Sequence, residues 1–389
     1  MEKKVKSILF VINHMDMGGI QKALIELLWK VSKEYKITLM VIKPNGVLME
    51  NLPSNIELIT PCMALQASEL AIKECCSTKI KILRSICVVW SRVFSRKLPA
   101  YLTAKLLQPN LGTFDAAISY TQPLASKLFC NLSNEVVLYS CSAARKITFV
   151  HCDFLKYGGN DACNRNLYGK FDRIAVVSDS VGEKLAFAVR PLRERIVTVY
   201  NLQSPEVIMQ KAAEDTVKYP EKVSVVTVAR LSDEKGLERC VPIFAHLRQQ
   251  GIDIGWHIIG DGSSKEAICK AIEDNHMQDY VVLHGMHQNP YRFMKNADLL
   301  FLPSFHEAAP VVYSEAEILR IPILTTQTTS AVELVKNRHA GWVCGLDVDE
   351  IEQALKDAIS KIATGKGPSF DAADLNECAA NAFRRVIEE

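Results

Sequence analysis

Twice along this chain a continuous apolar run gives way to an amphipathic helical repeat and then to another apolar run. The first series opens with Ile8–Ile12. It passes through a helical repeat from Ile20 to Val31, in which Ala23, Leu24, Leu27, Leu28 and Val31 share a face, and closes with Ile37–Ile42. A strand that is apolar at every position must be covered on both faces. Strands that alternate with helices achieve this as a parallel sheet between two helical layers. The same pattern predicts strands at Ala116–Ser119, Lys146–Val150, Arg173–Val177 and Ile196–Val199. A second series begins at Val223–Val228 and continues through Gly255–Ile259, Val281–His284, Leu299–Leu302, Ile323–Thr325 and Gly341–Val343. The fold class is therefore α/β, with two Rossmann-like doubly wound domains.

At 389 residues the chain suits two domains of about 150–200 residues each. Between Gln203 and Lys222 the pattern weakens, and Pro205 and Pro220 bracket a mostly polar stretch. The expected division is a first domain over 1–202, a linker over 203–222 and a second domain over 223–366. A C-terminal helix in 367–389 is expected to cross back to the first domain. Two such sheets in series would leave a cleft outside their strand C-termini, where ligands of open α/β sheets bind.

The net charge of +2 gives no overall basic excess, which argues against a nucleic-acid partner. No apolar stretch approaches the roughly 20 residues of a membrane span. The basic start and the run ILFVI resemble a secretory leader, but the run is too short for one and no small-residue cleavage site follows. Twelve cysteines are scattered without a Cys-x-x-Cys pair, as expected of buried thiols in a reducing cytoplasm.

The densest concentration of chemistry is Ser304-Phe305-His306-Glu307-Ala308-Ala309-Pro310-Val311, followed after Tyr313-Ser314 by Glu315-Ala316. Two glutamates stand eight apart across a predicted helix start, just after an apolar strand. Pro310 suits the first turn of that helix, where its missing N–H is of no consequence. Free N–H groups and the positive dipole end there would attract a phosphate. Glu315, a turn inside, has the chemistry to accept hydrogen bonds from ribose hydroxyls, and Glu307 to contact a sugar. The same residues also fit a plainer arrangement, with Glu307 capping the helix and Glu315 facing solvent.

These residues resemble the Glu-x7-Glu signature of family-four retaining glycosyltransferases of the GT-B fold, a group that includes many bacterial surface-polysaccharide enzymes. Where that family often has Glu-Gly-Phe-Pro, this chain has Glu307-Ala308-Ala309-Pro310, a departure that bears on the loop backbone because alanine tolerates positive φ poorly. Val228-Ala229-Arg230-Leu231 followed by Lys235-Gly236-Leu237 is similar to the family's strand-end Arg and Lys on the donor diphosphate. Cations there would stabilise the charge that grows on the leaving group. Gly260-Asp261-Gly262 with Val281–Gly285 resembles the strand-loop pair at the nucleotide base, which makes the backbone near Met286 the base reader. Gly18-Gly19 resembles the glycine loop that lets backbone approach the donor phosphate. Phe149-Val150-His151-Cys152-Asp153 resembles the family's His segment, which places His151 near the transferred sugar or the acceptor.

The resemblance implies an enzyme that moves a hexose or N-acetylhexosamine from a nucleotide-sugar, with uridine as the preferred base. The acceptor would be a saccharide or a lipid-linked saccharide bound by the first domain. Arg230 and Lys235 would hold the diphosphate, Glu307 the donor sugar and Glu315 the ribose, with Ala308, Ala309, Pro310 and Val311 lining the donor site. No cofactor is expected. The single Asp-x-Asp, Asp347-Val348-Asp349, precedes a helical pattern and reads as a helix cap rather than a metal site. The missing Gly-x-Gly-x-x-Gly argues against an NAD oxidoreductase. Two other readings stay open: a GT-B sugar-nucleotide epimerase and a non-catalytic sugar-nucleotide-binding partner of another transferase.

Between Cys75 and Phe114 there is no Asp or Glu, but there are seven cations: Lys79, Lys81, Arg84, Arg92, Arg96, Lys97 and Lys105. Interleaved apolar residues predict an amphipathic cationic helix. Residues 79–105 would then suit either peripheral contact with an anionic membrane or a core face backed by a solvated basic face.

Overall fold

Seven parallel strands build the first sheet: β1 (Ser7–His14), β2 (Lys36–Lys43), β3 (Glu57–Ile59), β4 (Thr113–Ser119), β5 (Ser142–Val150), β6 (Arg173–Val176) and β7 (Ile196–Thr198), in the order β3-β2-β1-β4-β5-β6-β7. β1 is central, with Ile8 opposite Ile37 of β2 on one side and Ala116 of β4 on the other. Alternate residues of β1 serve opposite faces. Ile8, Phe10 and Ile12 join a core with the helix Gly19–Val31, whereas Leu9 and Val11 join a second core with Leu65, Val136 and Val137. This two-sided burial is why the strand reads as one unbroken apolar run. β3 had no such signature, because it is a three-residue edge strand with two of its residues exposed.

The computed structural model describes residues 5–370 and 375–388, and within them the chain divides into two units. The first takes in the chain up to Leu202 together with the C-terminal helix Leu375–Glu388. That helix buries Ala379, Ala382, Phe383, Val386 and Ile387 in the core around β1, with the Phe383 ring stacked on Phe10 at 6.1 Å. The basic start Met1–Lys4 lies outside the described residues.

The second unit begins at Gln203. Its sheet comprises β8 (Val223–Val228), β9 (Ile254–Ile259), β10 (Val281–Gly285), β11 (Leu299–Leu302), β12 (Ile323–Thr326) and β13 (Gly341–Cys344), all parallel, in the order β10-β9-β8-β11-β12-β13. One face packs Val225, Trp256, Phe301 and Leu324, and the other packs Val226, Leu300, Leu302 and Ile323. The stretch 203–222 carries the helix Pro205–Ala213, whose Ile208 and Ala212 pack with Tyr291 and Met294 against the face that bears Val226 and Leu300. Its helical start at Pro205 follows the ordinary preference for proline in a first turn.

In both sheets the chain first works outward from the opening strand and then returns to build the other side. The reversal falls between β1 and β4 in the first sheet and between β8 and β11 in the second. Ligands of doubly wound sheets bind outside the strand C-termini at such reversals.

Candidate active site

β8 and β11 are neighbours, with Leu299 opposite Val225. Parallel pairing sends their following loops off the same edge of the sheet, so residues 72 apart in sequence meet there. Lys235 Nζ pairs with Glu307 Oε1, and the two side chains are only 15% and 10% exposed. Ser304 Oγ donates to the same carboxylate oxygen at 2.7 Å. Phe305 N donates to Glu234 O at 2.8 Å, which ties the two loops together through backbone.

Two glycine features make this approach possible. Gly236 adopts φ 58°, and a Cβ there would stand 3.0 Å from the Phe305 ring and 3.2 Å from Pro303 O. Gly260 and Gly262 have φ of 150° and 158°, and a Cβ on either would meet Ala229 O or Leu231 O at 1.8 Å and 2.2 Å. Only glycine lets the 260–262 turn lie so closely along the Arg230 loop, where Leu231 N donates to Asp261 O at 3.0 Å. Asp261 serves the turn, its Oδ1 accepting from Gly262 N at 2.8 Å.

Arg230 pairs with a different carboxylate. Its guanidinium is largely exposed and donates to Glu234 at 3.0 Å. A further arginine that the motif left unnoticed secures the glutamate loop. Arg239 donates to Pro303 O at 2.9 Å and to Leu346 O at 2.6 Å, and lies 3.9 Å above the Phe305 ring. Its position, nine residues after Arg230 in an unremarkable segment, carried no signal.

The helix expected after the glutamate loop runs Val311–Ile318, with Pro310 at its cap position rather than inside its first turn. Pro310 makes no cap hydrogen bond, and Glu307 is engaged by Lys235 and Ser304. Ala308 and Ala309 keep negative φ, because the non-glycine residues with positive φ lie elsewhere among the described residues. The alanines therefore fit the loop without backbone strain. Glu315 does not face solvent: it is 2% exposed and accepts from the Tyr291 hydroxyl at 2.9 Å. Met286 follows β10 and stands exposed, and Gly285 O accepts from Gly260 N at 2.8 Å. Asp347 caps the helix Val348–Ala363, accepting from Asp349 N at 3.0 Å. Among the described residues no group of three or more His, Cys, Asp or Glu is placed to hold a metal ion.

The other sequence-predicted residues belong to the first unit. Gly18 and Gly19 form the start of the helix after β1, with Gly18 extended at the cap position. His151 follows β5, with its ring centroid 4.8 Å from that of Tyr120 and its Nε2 buried without a hydrogen-bond partner. The His151 backbone N–H donates to Gln122 Oε1 at 3.0 Å. Asp153, two residues on, is buried and paired with Lys184 at 2.6 Å.

Burial depresses the His151 pKa to about 4, against a smaller opposing effect of a backbone hydrogen bond at Tyr120. The ring is therefore neutral near pH 7, fit to exchange hydrogen bonds but not to supply a positive charge. An unfolded imidazole titrates near 6.5, so between 6.5 and about 4 the unfolded chain binds a proton that the folded one does not. Stability present above pH 6.5 is expected to fall through that window by up to about 1.4 kcal/mol per pH unit. Denaturant unfolding at a series of pH values checks this, since the slope should shrink in His151→Phe.

Two doubly wound parallel units in one chain are the architecture of the GT-B fold. Residues 209–372, which lie within the second unit, match the family model described as Glycosyl transferases group 1. The chain is 29% identical over 150 residues to the amylovoran biosynthesis glycosyltransferase AmsK of Erwinia amylovora, covering 36% of each protein. It thus spans little more than a third of that relative's own length. It is also 26% identical over 263 residues to a Campylobacter jejuni N-acetylgalactosamine-N,N'-diacetylbacillosaminyl-diphospho-undecaprenol 4-alpha-N-acetylgalactosaminyltransferase, covering 64% of this chain and 68% of that one. The crystal structure of Anabaena Alr3699/HepE in complex with UDP has the same fold, with a TM-score of 0.63 at 14% identity, over 97% of this chain and 100% of that one.

Proposed function

We propose that this chain is a retaining glycosyltransferase that takes a hexose or N-acetylhexosamine from a nucleotide-sugar, with UDP as the leaving group. The observation that carries the reading is the Lys235–Glu307 pair at the β8/β11 reversal, in the loop that leads into the helix Val311–Ile318. A diphosphate needs cations and free N–H donors, and a sugar needs a carboxylate to accept from its hydroxyls. These groups gather at one strand edge. Arg230, exposed and held by one carboxylate, is free to swing onto the diphosphate. Glu315 takes the ribose hydroxyls in exchange for its Tyr291 partner.

Transfer follows a front-face course. Lys235 and Arg230 stabilise the departing diphosphate, Glu307 orients the sugar, and His151, neutral and with Nε2 unpartnered, accepts or donates a hydrogen bond to the reacting sugar or acceptor. No metal is required, because the two cations neutralise the diphosphate. The acceptor is a saccharide or lipid-linked saccharide of surface polysaccharide synthesis. The diphospho-undecaprenol in the C. jejuni relative's name supports a lipid carrier, which would bring the enzyme to the cytoplasmic face of a membrane.

The test is thermal unfolding with UDP, GDP and ADP, with EDTA throughout. UDP at about 100 times its Kd is expected to add roughly 2.7 kcal/mol, with little response to the other two. The gain should disappear in Glu315→Ala. Equal response to all three nucleotides, or to none, would count against the uridine reading.

A further inference from the structure

We propose that residues 79–107 form a surface that docks the chain onto an anionic phospholipid bilayer. The helix Thr78–Val93 is amphipathic by sequence, yet its buried residues are only Cys87 and Ser91. The helix Val348–Ala363, equally long, instead buries Ile351, Leu355, Ala358 and Ile359. At about 100° per residue, Ile82, Ile86, Val89, Trp90 and Val93 fall within one arc roughly 100° wide. All five are exposed, with Ile86 and Val93 at 60% and 61%. The apolar surface continues past the helix through Phe94 at 62% and on to Leu106 at 69%. Eleven large apolar side chains between Ile82 and Leu107 stand exposed in this way.

The core-facing alternative thus fails, because the apolar arc of the helix points outward. One cation must also be removed from the surface. Arg96 is fully buried, 3.2 Å from Glu135, with its Nη1 donating to Cys130 O at 3.0 Å. Arg84 is also engaged by the protein, its Nε donating to Leu70 O at 2.7 Å, and of the other five cations Lys79, Arg92, Lys97 and Lys105 are exposed.

Charge selects the occupant. A second copy of the chain would set two cationic surfaces against each other with no intervening carboxylate between Cys75 and Phe114. A nucleic acid would satisfy the cations and leave the aliphatic and aromatic side chains in water. An anionic bilayer takes both: Trp90 and its aliphatic neighbours enter the headgroup boundary, and Lys and Arg meet lipid phosphates with their stems in the apolar layer. Among the described residues no helix is long and apolar enough to cross a membrane, so the contact is peripheral.

Sedimentation of the full chain with vesicles tests this without any sugar nucleotide, so failure here and failure of the transferase reading are separable. Partition onto vesicles with about 30% phosphatidylglycerol should exceed that onto pure phosphatidylcholine by at least tenfold, at about fivefold per engaged cation. It should fall steeply as salt rises toward 0.5 M, where screening reaches only about 4 Å. Ile86→Asn with Val93→Asn should abolish binding at unchanged melting temperature, since both sites are exposed. Arg92→Gln with Lys97→Gln should reduce binding to anionic vesicles and leave the weak binding to neutral ones. Equal partition onto the two vesicle types, or none onto either, overturns the proposal. So does a concentration-dependent dimer that the Ile86 and Val93 changes dissolve, which would assign the surface to a second copy.

Discussion

Replacing Lys235 by alanine is expected to lower kcat/KM for donor turnover by about 10²- to 10³-fold, the usual loss when one preorganised donor to developing charge is removed. The effect has two sources. Lys235 supplies charge to the departing diphosphate, and it fixes Glu307, which otherwise leans only on Ser304 Oγ at 2.7 Å. Removing one member of a largely buried pair also strands the other, at a cost of about 3 kcal/mol in stability. The double variant Lys235→Ala/Glu307→Ala separates these. It should recover much of the lost stability, because no charge is left uncompensated, while turnover stays at the level of the single variant, since the two act as a unit. Turnover is measured with the donor whose nucleotide gives the thermal shift. A Lys235→Ala variant that is destabilised yet turns over within a few-fold of wild type would reduce Lys235 to a structural role.

The strands were legible because each is buried on both faces. Ile8–Ile12 and Leu299–Leu302 have no polar interruption, and both lie at the centre of their sheets beside the reversal. Edge position erases that mark, as at β3. The glutamate loop was legible for a different reason: a strand, a short loop and a helix start confine Glu307 and Glu315 to the same sheet edge whatever the details between them. Sequence did not show what the two carboxylates touch. The Lys235 partner of Glu307 is 72 residues away and depends on the β8/β11 pairing, and Tyr291, the donor to Glu315, comes from a short helix with no distinguishing pattern. Equally hidden was the sidedness of the cationic helix. Apolar periodicity reports that a helix has an apolar face and is silent on whether protein covers it. Arg96 illustrates the same limit, since nothing in the run Ser95-Arg96-Lys97 distinguishes the buried cation from its exposed neighbour.

Ending the chain at Phe370 is expected to unfold the first unit while the second remains folded and still responds to UDP. The helix Leu375–Glu388 lies last in sequence, yet its apolar face completes the core around β1. Burying Phe383, Val386 and Ile387 is worth about 1.5–3 kcal/mol each, so their joint loss is on the order of 6 kcal/mol. That is comparable with the whole stability of many domains, about 5–15 kcal/mol. Phe383→Ala alone should cost about 3–5 kcal/mol, because the ring is fully buried against Phe10 and its removal leaves a cavity. The bidentate bond from Arg384 to Glu34, at 2.9 and 2.7 Å, is the most conspicuous polar link of this helix, but it is a third exposed. Its loss in Arg384→Ala should cost no more than about 1 kcal/mol. Calorimetry of the three variants ranks these effects, and limited proteolysis of the shortened chain identifies which unit is lost. If the chain ending at Phe370 retained both transitions, or if Arg384→Ala proved as damaging as Phe383→Ala, apolar burial by this helix would not be what holds the first unit together.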